Sequence, residues 1–128
     1  MKKNLNICLI QTNLFWEDVT ANLSHFTELI SNIKDRPDII LLPEMFNTSF
    51  CPKSNHLAES MQGKTINWMK GISKIKDCAI AGTLMIKQGE SIFNRLVLIL
   101  KNGTIYTYDK HHLFSLLKEE RYIAKGKE

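Results

Sequence analysis

The chain has 128 residues, of which 44% are hydrophobic and 23% charged, with only 6 Gly and 3 Pro; this composition excludes a disordered or collagen-like chain, and the length allows one domain at most. The formal net charge is +4. Residues 1–60 contain 5 Lys/Arg and 7 Asp/Glu, whereas residues 61–128 contain 12 Lys/Arg and 6 Asp/Glu. Because these basic residues are scattered and form no basic stripe, we expect no nucleic-acid partner. No run approaches the ~18 apolar residues of a membrane span, and residues 1–10 are too short and too interrupted for a signal peptide, so we expect a soluble protein with no membrane partner.

The first predicted element is a strand at Leu5–Gln11, covered on both sides because apolar residues occupy both alternating faces. A helix is predicted over residues 18–34, with Asp18 as its cap and Pro37 as the stop beyond its end. Its apolar residues recur at steps of three and four, as on one face of a helix: Val19, Leu23, Phe26, Ile30 and Ile33.

The short apolar run at residues 38–42 predicts a second buried strand, ended by a proline. Residues 43–63 carry Pro, Asn, Ser and Gly without a clear period and predict a long loop, which in a compact domain is usually functional. A second helix, capped by Thr65 and ending near Lys76, and a third buried strand over residues 78–85 continue the alternation of strands and helices.

Two apolar runs, residues 91–100 and 104–108, flank Lys101-Asn102-Gly103 and predict an antiparallel hairpin, because Asn-Gly between apolar runs is a strong turn signal. The predicted sheet is therefore mixed, with parallel strands first and antiparallel strands later. This pattern indicates an α/β fold without repeats or a dividing linker.

Two ionisable residues fall where a site is expected, because ligands of open α/β sheets bind beyond the carboxyl ends of the strands. Glu44 follows the second predicted strand and Lys110 follows the fifth. In a crevice walled by Pro43, Met45 and Phe46, Glu44 would be a general base. A fixed ammonium at Lys110 would stabilise a developing oxyanion.

Glu119, nine residues after Lys110, is the candidate third member of this site. Both principal candidates also have an ordinary structural interpretation. Glu44 would then be a solvated loop carboxylate or a helix-start charge, and Lys110 a surface cation beside Asp109.

No metal site or disulfide framework is indicated, and we expect no cofactor. His111 and His112 are adjacent and would point apart on regular structure, with no further ligand at a suitable spacing. The three cysteines have wide, unrelated spacing, which favours a reducing, cytoplasmic compartment. Cys8 and Cys78 fall on strands; Cys51 lies in a loop, where no neighbouring residue activates it as a nucleophile.

Two strings make the chain resemble the nitrilase superfamily of carbon-nitrogen hydrolases, and most of all its omega-amidase branch. They are residues 41–46 (Leu-Leu-Pro-Glu-Met-Phe) and 108–114 (Tyr-Asp-Lys-His-His-Leu-Phe), with Glu119 and Gly126 spaced behind them. The match extends over the whole chain and includes Gln11, Gly63, Gly82, Asn94, Arg95 and Gly126.

The resemblance implies the N-terminal part of an αββα sandwich, a mixed sheet with helices on one face. The family's sandwich pairs into dimers and carries a Glu-Lys-Cys triad. Glu44 would activate the thiol and pass its proton to the leaving ammonia, and Lys110 would stabilise the tetrahedral intermediate. Glu119 is similar to an additional glutamate that orients the family's site, with neighbouring Glu120 as the alternative.

The chain departs from the family at the nucleophile. In the family this cysteine lies on a strand-to-helix elbow after the lysine, whereas no cysteine follows Cys78 here. We therefore expect residues 1–128 to be a single incomplete domain, the N-terminal part of an omega-amidase-like protein, which would be inactive by itself. The competing hypothesis is a noncatalytic module that docks on another chain through its unpaired sheet face.

Overall fold

The computed structural model describes residues 4–127. They form one five-stranded sheet in the order β1-β2-β3-β4-β5, in which β1, β2 and β3 are parallel neighbours and β3, β4 and β5 are antiparallel neighbours. The strands are β1 (Ile7–Leu9), β2 (Ile39–Leu41), β3 (Ala79–Gln88), β4 (Ser91–Ile99) and β5 (Ile105–Asp109), and the helices are α1 (Val19–Ser31) and α2 (Lys64–Lys76). The predicted α/β fold with a mixed sheet is confirmed. Residues 1–3, which belong to the segment considered as a signal peptide, lie outside the described residues.

Helix α1 begins as predicted but ends earlier. Asp18 caps the first turn by accepting a hydrogen bond from the N–H of Ala21 at 2.9 Å. At the other end, the Ser31 hydroxyl and the Asn32 amide both donate to the Glu28 carbonyl. Because these side chains compete with the helical hydrogen bonds of the backbone, the helix ends at Ser31 and not at residue 34.

Helix α2 begins at Lys64, and Thr65 is not its cap. Thr65 lies inside the first turn, is fully buried, and donates both its N–H (2.8 Å) and its hydroxyl to Glu59. A carboxylate from the preceding loop thus accepts a helical N–H that has no partner within the helix. Asn47 donates to the same carboxylate at 3.1 Å, so Glu59 joins the loop to the helix.

Strand β1 lies at the sheet edge and is covered on one face, so the prediction of two covered faces was wrong. Cys8 packs on the core beneath the helices, whereas Ile7 and Leu9 are 51% and 73% exposed. The reason is that α1 and α2 both pack on the same side of the sheet, and no α-helix of the described residues covers the other side. We call this other side the open face; its exposed apolar residues are Ile7, Leu9, Leu96, Tyr106 and Tyr108.

Two tight turns join the antiparallel strands. The predicted Asn-Gly hairpin connects β4 to β5 and is confirmed. A second turn, at Gly89 and Glu90, joins β3 to β4, so β3 continues to Gln88 and not to residue 85. Gly89 has φ +60, a left-handed conformation that glycine adopts without strain.

Two apolar clusters pack on opposite sides of the sheet. The larger one joins the inner faces of α1 and α2 to the sheet and includes Phe26, Ile40 and Met69. The smaller one lies against the open-face side of Met85 and contains Met45, Cys51 and Ile123. It comes from the long loop after β2 and the segment after β5, so both segments that carry the predicted site residues pack on this cluster. Neither helix of the described part is long and apolar enough to cross a membrane.

Candidate active site

Glu44 is held in a tight turn just after β2. The N–H of Met45 donates to the Thr83 hydroxyl at 2.8 Å, and the N–H of Phe46 donates to the Thr83 carbonyl at 3.2 Å. Met45 has φ +48, an unfavourable conformation for a side-chain-bearing residue, and its buried side chain fixes that conformation. The Phe46 ring packs directly on Gly82, and a Cβ on Gly82 would come within 2.7 Å of that ring. The missing side chain at Gly82 therefore leaves the space that Phe46 occupies.

Lys110 is fixed through its backbone on two sides. Its N–H donates to the Asn94 carbonyl at 2.9 Å, and its carbonyl accepts from the N–H of Gly126 at 3.0 Å. A Cβ on Gly126 would lie 2.1 Å from the Asp109 carbonyl oxygen, so only glycine permits this approach. The extended segment around Gly126 therefore helps to fix the position of Lys110.

A bidentate ion pair between Arg95 and Asp109 stabilises the end of β5 on the helix-covered side of the sheet. Arg95 Nε and the guanidinium Nη2 lie 2.6 and 2.9 Å from the two oxygens of Asp109, and Nη2 also donates to Gln88 at 2.8 Å. Arg95 and Asp109 are paired residues of β4 and β5. This pair fixes the register beside Lys110 and raises the pKa of the Arg95 guanidinium through its hydrogen bonds to Asp109.

Glu119 is the buried member of the site. Its side chain is 0% exposed and accepts hydrogen bonds from the Phe114 N–H (2.7 Å), Asn94 Nδ2 (3.1 Å) and Lys110 Nζ (3.0 Å). Glu120 is exposed. Of the two glutamates considered for the third position, the structure brings Glu119 to Lys110.

The three predicted residues meet at the ammonium of Lys110. Lys110 Nζ lies 2.9 Å from Glu44 Oε1 and 3.0 Å from Glu119 Oε2, although Glu44 is 66 residues away along the chain. Burial by itself lowers the pKa of Lys110, but the hydrogen bonds and charges of the two glutamates outweigh it, so the net pKa is raised. Lys110 is therefore a firmly protonated cation at neutral pH.

Opposing effects also act on Glu119. Burial raises its pKa, whereas the hydrogen bonds from the Phe114 backbone, Asn94 and Lys110 lower it, and the net pKa lies below its ordinary value. Both oxygens are occupied by donors. Glu119 is thus charged at neutral pH, and donors already bond both of its oxygens.

Asn94 was not predicted as a site residue, and the structure adds it. It is 1% exposed and donates from Nδ2 to both Glu44 (2.8 Å) and Glu119 (3.1 Å). A sequence signal for it exists. When residues are paired outward from the Asn-Gly turn along β4 and β5, Asn94 lies opposite Lys110. A single amide side chain in an otherwise apolar strand needs hydrogen-bond partners when it is buried.

The site opens to solvent through a cleft of about 460 Å³, lined by Glu44, Phe50, Lys110, His112, Leu113 and Phe114. The prediction that Pro43, Met45 and Phe46 wall the crevice was wrong, because none of them lines it. Met45 and Phe46 are fully buried in the two apolar clusters, and the Glu44 side chain is 45% exposed. The apolar wall comes instead from Phe50, whose ring centroid lies 5.5 Å from Lys110 Nζ, and from Phe114.

The loop cysteine does not have the character of a nucleophile. Cys51 is 2% exposed, its thiol donates to the Thr48 carbonyl, and burial, aided by the Glu17 carboxylate, raises its pKa. The protein surroundings thus keep it as a thiol. Cys78 is also buried, and Cys8 is partly covered by the core.

The two adjacent histidines do not point apart. Because residues 111 and 112 lie in a bend, their rings make an edge contact with centroids 4.8 Å apart, and His111 Nδ1 bonds the Gly126 carbonyl at 2.8 Å. Among residues 4–127, no three or more His, Cys, Asp or Glu are grouped so that they could hold a metal ion.

A larger depression, of about 710 Å³, lies at the amino ends of β1 and β2 and is lined by residues 5–8, Ile33 and residues 35–37. It lies at the opposite ends of the strands from the Glu44–Lys110 contact. Its charged lining residues, Asp35 and Arg36, form no ion pair with each other. Chemistry therefore points to the smaller cleft at the carboxyl ends of the strands.

Comparison with known proteins yields a single family. The profile of the carbon-nitrogen hydrolase family matches residues 6–127. The chain is 38% identical to the omega-amidase YafV of Yersinia enterocolitica over 126 residues (97% of this chain and 48% of that protein) and 36% identical to the omega-amidase YafV of Escherichia coli K12 over 123 residues (95% and 47%).

Among solved structures, the chain superposes on XC1258 from Xanthomonas campestris, described as a CN-hydrolase superfamily protein with an arsenic adduct in its active site. The TM-score is 0.92 at 31% identity, and the superposition covers 97% of this chain and 47% of that one. The chain thus spans about half the length of the relatives it matches. Sequence and fold agree across nearly all of its residues, and the chain belongs to the carbon-nitrogen hydrolase family.

Proposed function

We propose that this chain supplies the general base and the oxyanion-stabilising cation of an omega-amidase-like amide hydrolase. The observation that carries the proposal is the convergence of Glu44, Lys110 and Glu119 from three separate segments onto contacts of 2.9 and 3.0 Å. Membership of the family and the likeness to two omega-amidases support it.

In the proposed reaction, Glu44 removes the proton from a cysteine thiol that lies outside residues 1–128. The thiolate attacks the carbonyl carbon of the amide, and the negative charge that develops on the carbonyl oxygen is stabilised by the ammonium of Lys110. Glu44 then returns the proton to the nitrogen, ammonia leaves, and a thioester remains. Water, deprotonated by Glu44, hydrolyses the thioester to the acid and restores the thiol.

The charges of the site are consistent with these reaction steps. Two carboxylates surround one ammonium, so the group carries one net negative charge when Glu44 is ionised. The Glu44 side chain is 45% exposed and can reach a reacting group, whereas the buried Glu119 holds Lys110 charged throughout. Division of roles between two carboxylates in different environments is a common arrangement in acid–base sites.

The proposed substrate is the terminal amide of a small dicarboxylic acid monoamide. The likeness to omega-amidases supports this class, and the charge distribution supports an anionic substrate, because residues 61–128 carry 12 Lys/Arg against 6 Asp/Glu. We also propose that residues 1–128 act as part of a single larger domain, and that the complete protein forms a homodimer in the cytoplasm.

A second candidate function is a noncatalytic interaction module. The open face favours it, because five large apolar or aromatic side chains are exposed there on β1, β4 and β5. An apolar patch of this kind commonly marks an interface.

The test is ammonia release from succinamate by the complete gene product, meaning residues 1–128 with whatever the reading frame encodes after Glu128. Activity is expected in the wild type and is expected to fall at least 100-fold in Lys110→Ala, since a group that stabilises the oxyanion contributes on this order. Lys101→Ala, which changes an exposed lysine of the Asn-Gly hairpin, is the matched control and should keep wild-type activity. A wild-type protein that releases no ammonia, or a reading frame without a further cysteine, would favour the interaction module.

A further inference from the structure

The side chain of Asn94 connects the two carboxylates of the site. It projects from β4 on the open-face side and is 1% exposed. Its Nδ2 lies 2.8 Å from Glu44 Oε1 and 3.1 Å from Glu119 Oε1. The amide has two N–H bonds, and each is directed to a different carboxylate.

This arrangement treats the two oxygens of Glu44 differently. Oε1 accepts from both Lys110 Nζ (2.9 Å) and Asn94 Nδ2 (2.8 Å), whereas no described residue donates to Oε2. Glu119, by contrast, has donors on both oxygens. Glu44 is thus held by one oxygen and has the other available for a proton.

The orientation of the amide is determined by these contacts. With its side chain flipped, Asn94 would direct an oxygen at two carboxylate oxygens, which is electrostatically unfavourable. In the observed orientation, Oδ1 is buried and has no hydrogen-bond donor among the described residues. A buried acceptor without a partner is costly, so the two contacts to the carboxylates outweigh that cost.

We propose that Asn94 is a positioning residue, which fixes Glu44 by Oε1 so that Oε2 faces the nucleophile, and which couples that position to the buried Glu119. The inference rests on the proposed role of Glu44 as general base. Asn94 itself touches neither the substrate nor the reacting atoms.

The experiment compares Asn94→Leu, which keeps the volume and removes both donors, with the matched control Asn47→Leu. Asn47 is also buried, also donates to a glutamate (Glu59) and also has an unpartnered Oδ1, but its side chain hydrogen-bonds neither Glu44 nor Glu119. In the complete gene product, Asn94→Leu is expected to lower kcat for succinamate about 100-fold with KM changed less than threefold, because a displaced catalytic group costs on this order. Asn47→Leu should leave kcat within threefold of wild type.

A readout independent of activity is the carboxyl ¹³C resonance of Glu119, followed by NMR during a pH titration. Asn94→Leu removes a donor to the charged form of Glu119 and is expected to raise the pKa of that carboxyl, whereas Asn47→Leu should not. If Asn94→Leu does not fold, Asn94→Asp is used instead, because it keeps the shape of the side chain and replaces the donors by acceptors. It is expected to lower kcat and to raise the pKa of Glu119, as Asn94→Leu would.

The outcomes separate this inference from the proposed function. An active wild type with unchanged kcat in the Asn94 variants overturns the inference and leaves the function in place. An unaltered Glu119 titration in the Asn94 variants overturns the inference whatever the activity. A wild type that releases no ammonia, combined with the expected shift at Glu119, supports the link between Asn94 and the carboxylates and refutes the proposed function.

Discussion

At the scale of single residues, Glu119 is the most constrained group of the site. It is completely buried, yet three donors from Phe114, Asn94 and Lys110 hold it in the charged form. A buried carboxylate is stable only when it is paired and hydrogen-bonded, so these contacts make Glu119 a source of stability as well as an anchor for Lys110.

The first prediction concerns the pH dependence of that stability. Because the pKa of Glu119 is lower in the folded chain than in the unfolded one, its contribution is present above its unfolded value, about 4.3, and is lost as pH falls through the folded value. Glu119→Gln is expected to reduce the free energy of unfolding by roughly 3 kcal/mol at pH 7, and by progressively less below about pH 4. Urea unfolding across this range measures the difference. Glu120→Gln, at the exposed neighbour, should leave the free energy of unfolding unchanged at every pH. A loss of free energy of unfolding in Glu119→Gln that does not vary with pH would contradict this prediction.

The second prediction concerns Gly126. In Gly126→Ala the new Cβ would lie 2.1 Å from the Asp109 carbonyl oxygen, a backbone atom that cannot move without displacing Lys110. We expect a loss of about 1 to 3 kcal/mol in the free energy of unfolding. Gly71→Ala is the control, because no atom outside the local backbone of α2 lies within 4 Å of the added Cβ. Inside a helix this change should instead stabilise the chain by up to ~1 kcal/mol. Equal effects of the two substitutions in urea unfolding would show that the close approach at Gly126 has no energetic weight.

At the scale of elements, Glu59 joins the long loop after β2 to the start of α2. Its side chain accepts from the N–H and hydroxyl of Thr65 and from Asn47, while its backbone pairs with β3 through bonds to Met85 and Lys87. The loop that carries Glu44 is therefore closed at its far end by one carboxylate.

The third prediction follows from this closure. Glu59→Ala leaves three donors without their acceptor, including a helical N–H, and is expected to cost roughly 2 to 4 kcal/mol in the free energy of unfolding. The backbone bonds to β3 remain, so the loss belongs to the side chain. Glu90→Ala in the exposed β3–β4 turn provides the comparison and should change the free energy by less than about 0.5 kcal/mol. Similar values for both variants would mean that solvent replaces the Glu59 contacts without loss.

At the scale of the whole molecule, the sheet has two unlike sides. Both helices cover one side, whereas the open face presents Ile7, Leu9, Leu96, Tyr106 and Tyr108 to solvent. Exposed apolar surface of this extent favours association.

The fourth prediction is that residues 1–128 bind an apolar-surface dye through the open face. The double variant Leu9→Lys and Leu96→Lys is expected to reduce dye fluorescence by more than half, because it introduces two charges near the ends of the patch. Ile75→Lys, at a side chain on α2 that is 79% exposed, is the matched control and should have little effect. Dye fluorescence that responds equally to both would exclude the open face as the binding surface, and light scattering of the same samples reports self-association.

Much of the fold is visible in the sequence because local patterns determine it. The spacing from Val19 to Ile30 predicts α1, and Asn102-Gly103 predicts the β4–β5 hairpin. The β3–β4 turn was not predicted, because Lys87 and Gln88 break the apolar pattern while the backbone pairing continues to Gln88. The apolar pattern of β1 wrongly predicts two covered faces, since coverage depends on where both helices pack. The family resemblance, by contrast, implies helices on one face of the sheet, and this is confirmed.

The site was predictable in part for a similar reason. Glu44 and Lys110 follow strands, so topology alone brings them to one edge. The distinction between Glu119 and Glu120 depends on the turn geometry of residues 114–121, which carries no sequence period. Asn94 escaped prediction because its importance comes from cross-strand register, a property of two segments together.

The sheet order also has a consequence for the sequence of folding events. Strands β3, β4 and β5 are joined by turns of a few residues, so bringing them together costs little loop-closure entropy, whereas β1 and β2 each reach their neighbour only across a helix or a long loop. The antiparallel half is therefore expected to assemble early and the parallel half late. Asn94 and Lys110 belong to the early half, and Glu44 arrives with the late one. Glu44 would thus bind to Asn94 and Lys110 after these two residues have reached their native positions. The site would therefore be completed by the part of the sheet that folds last.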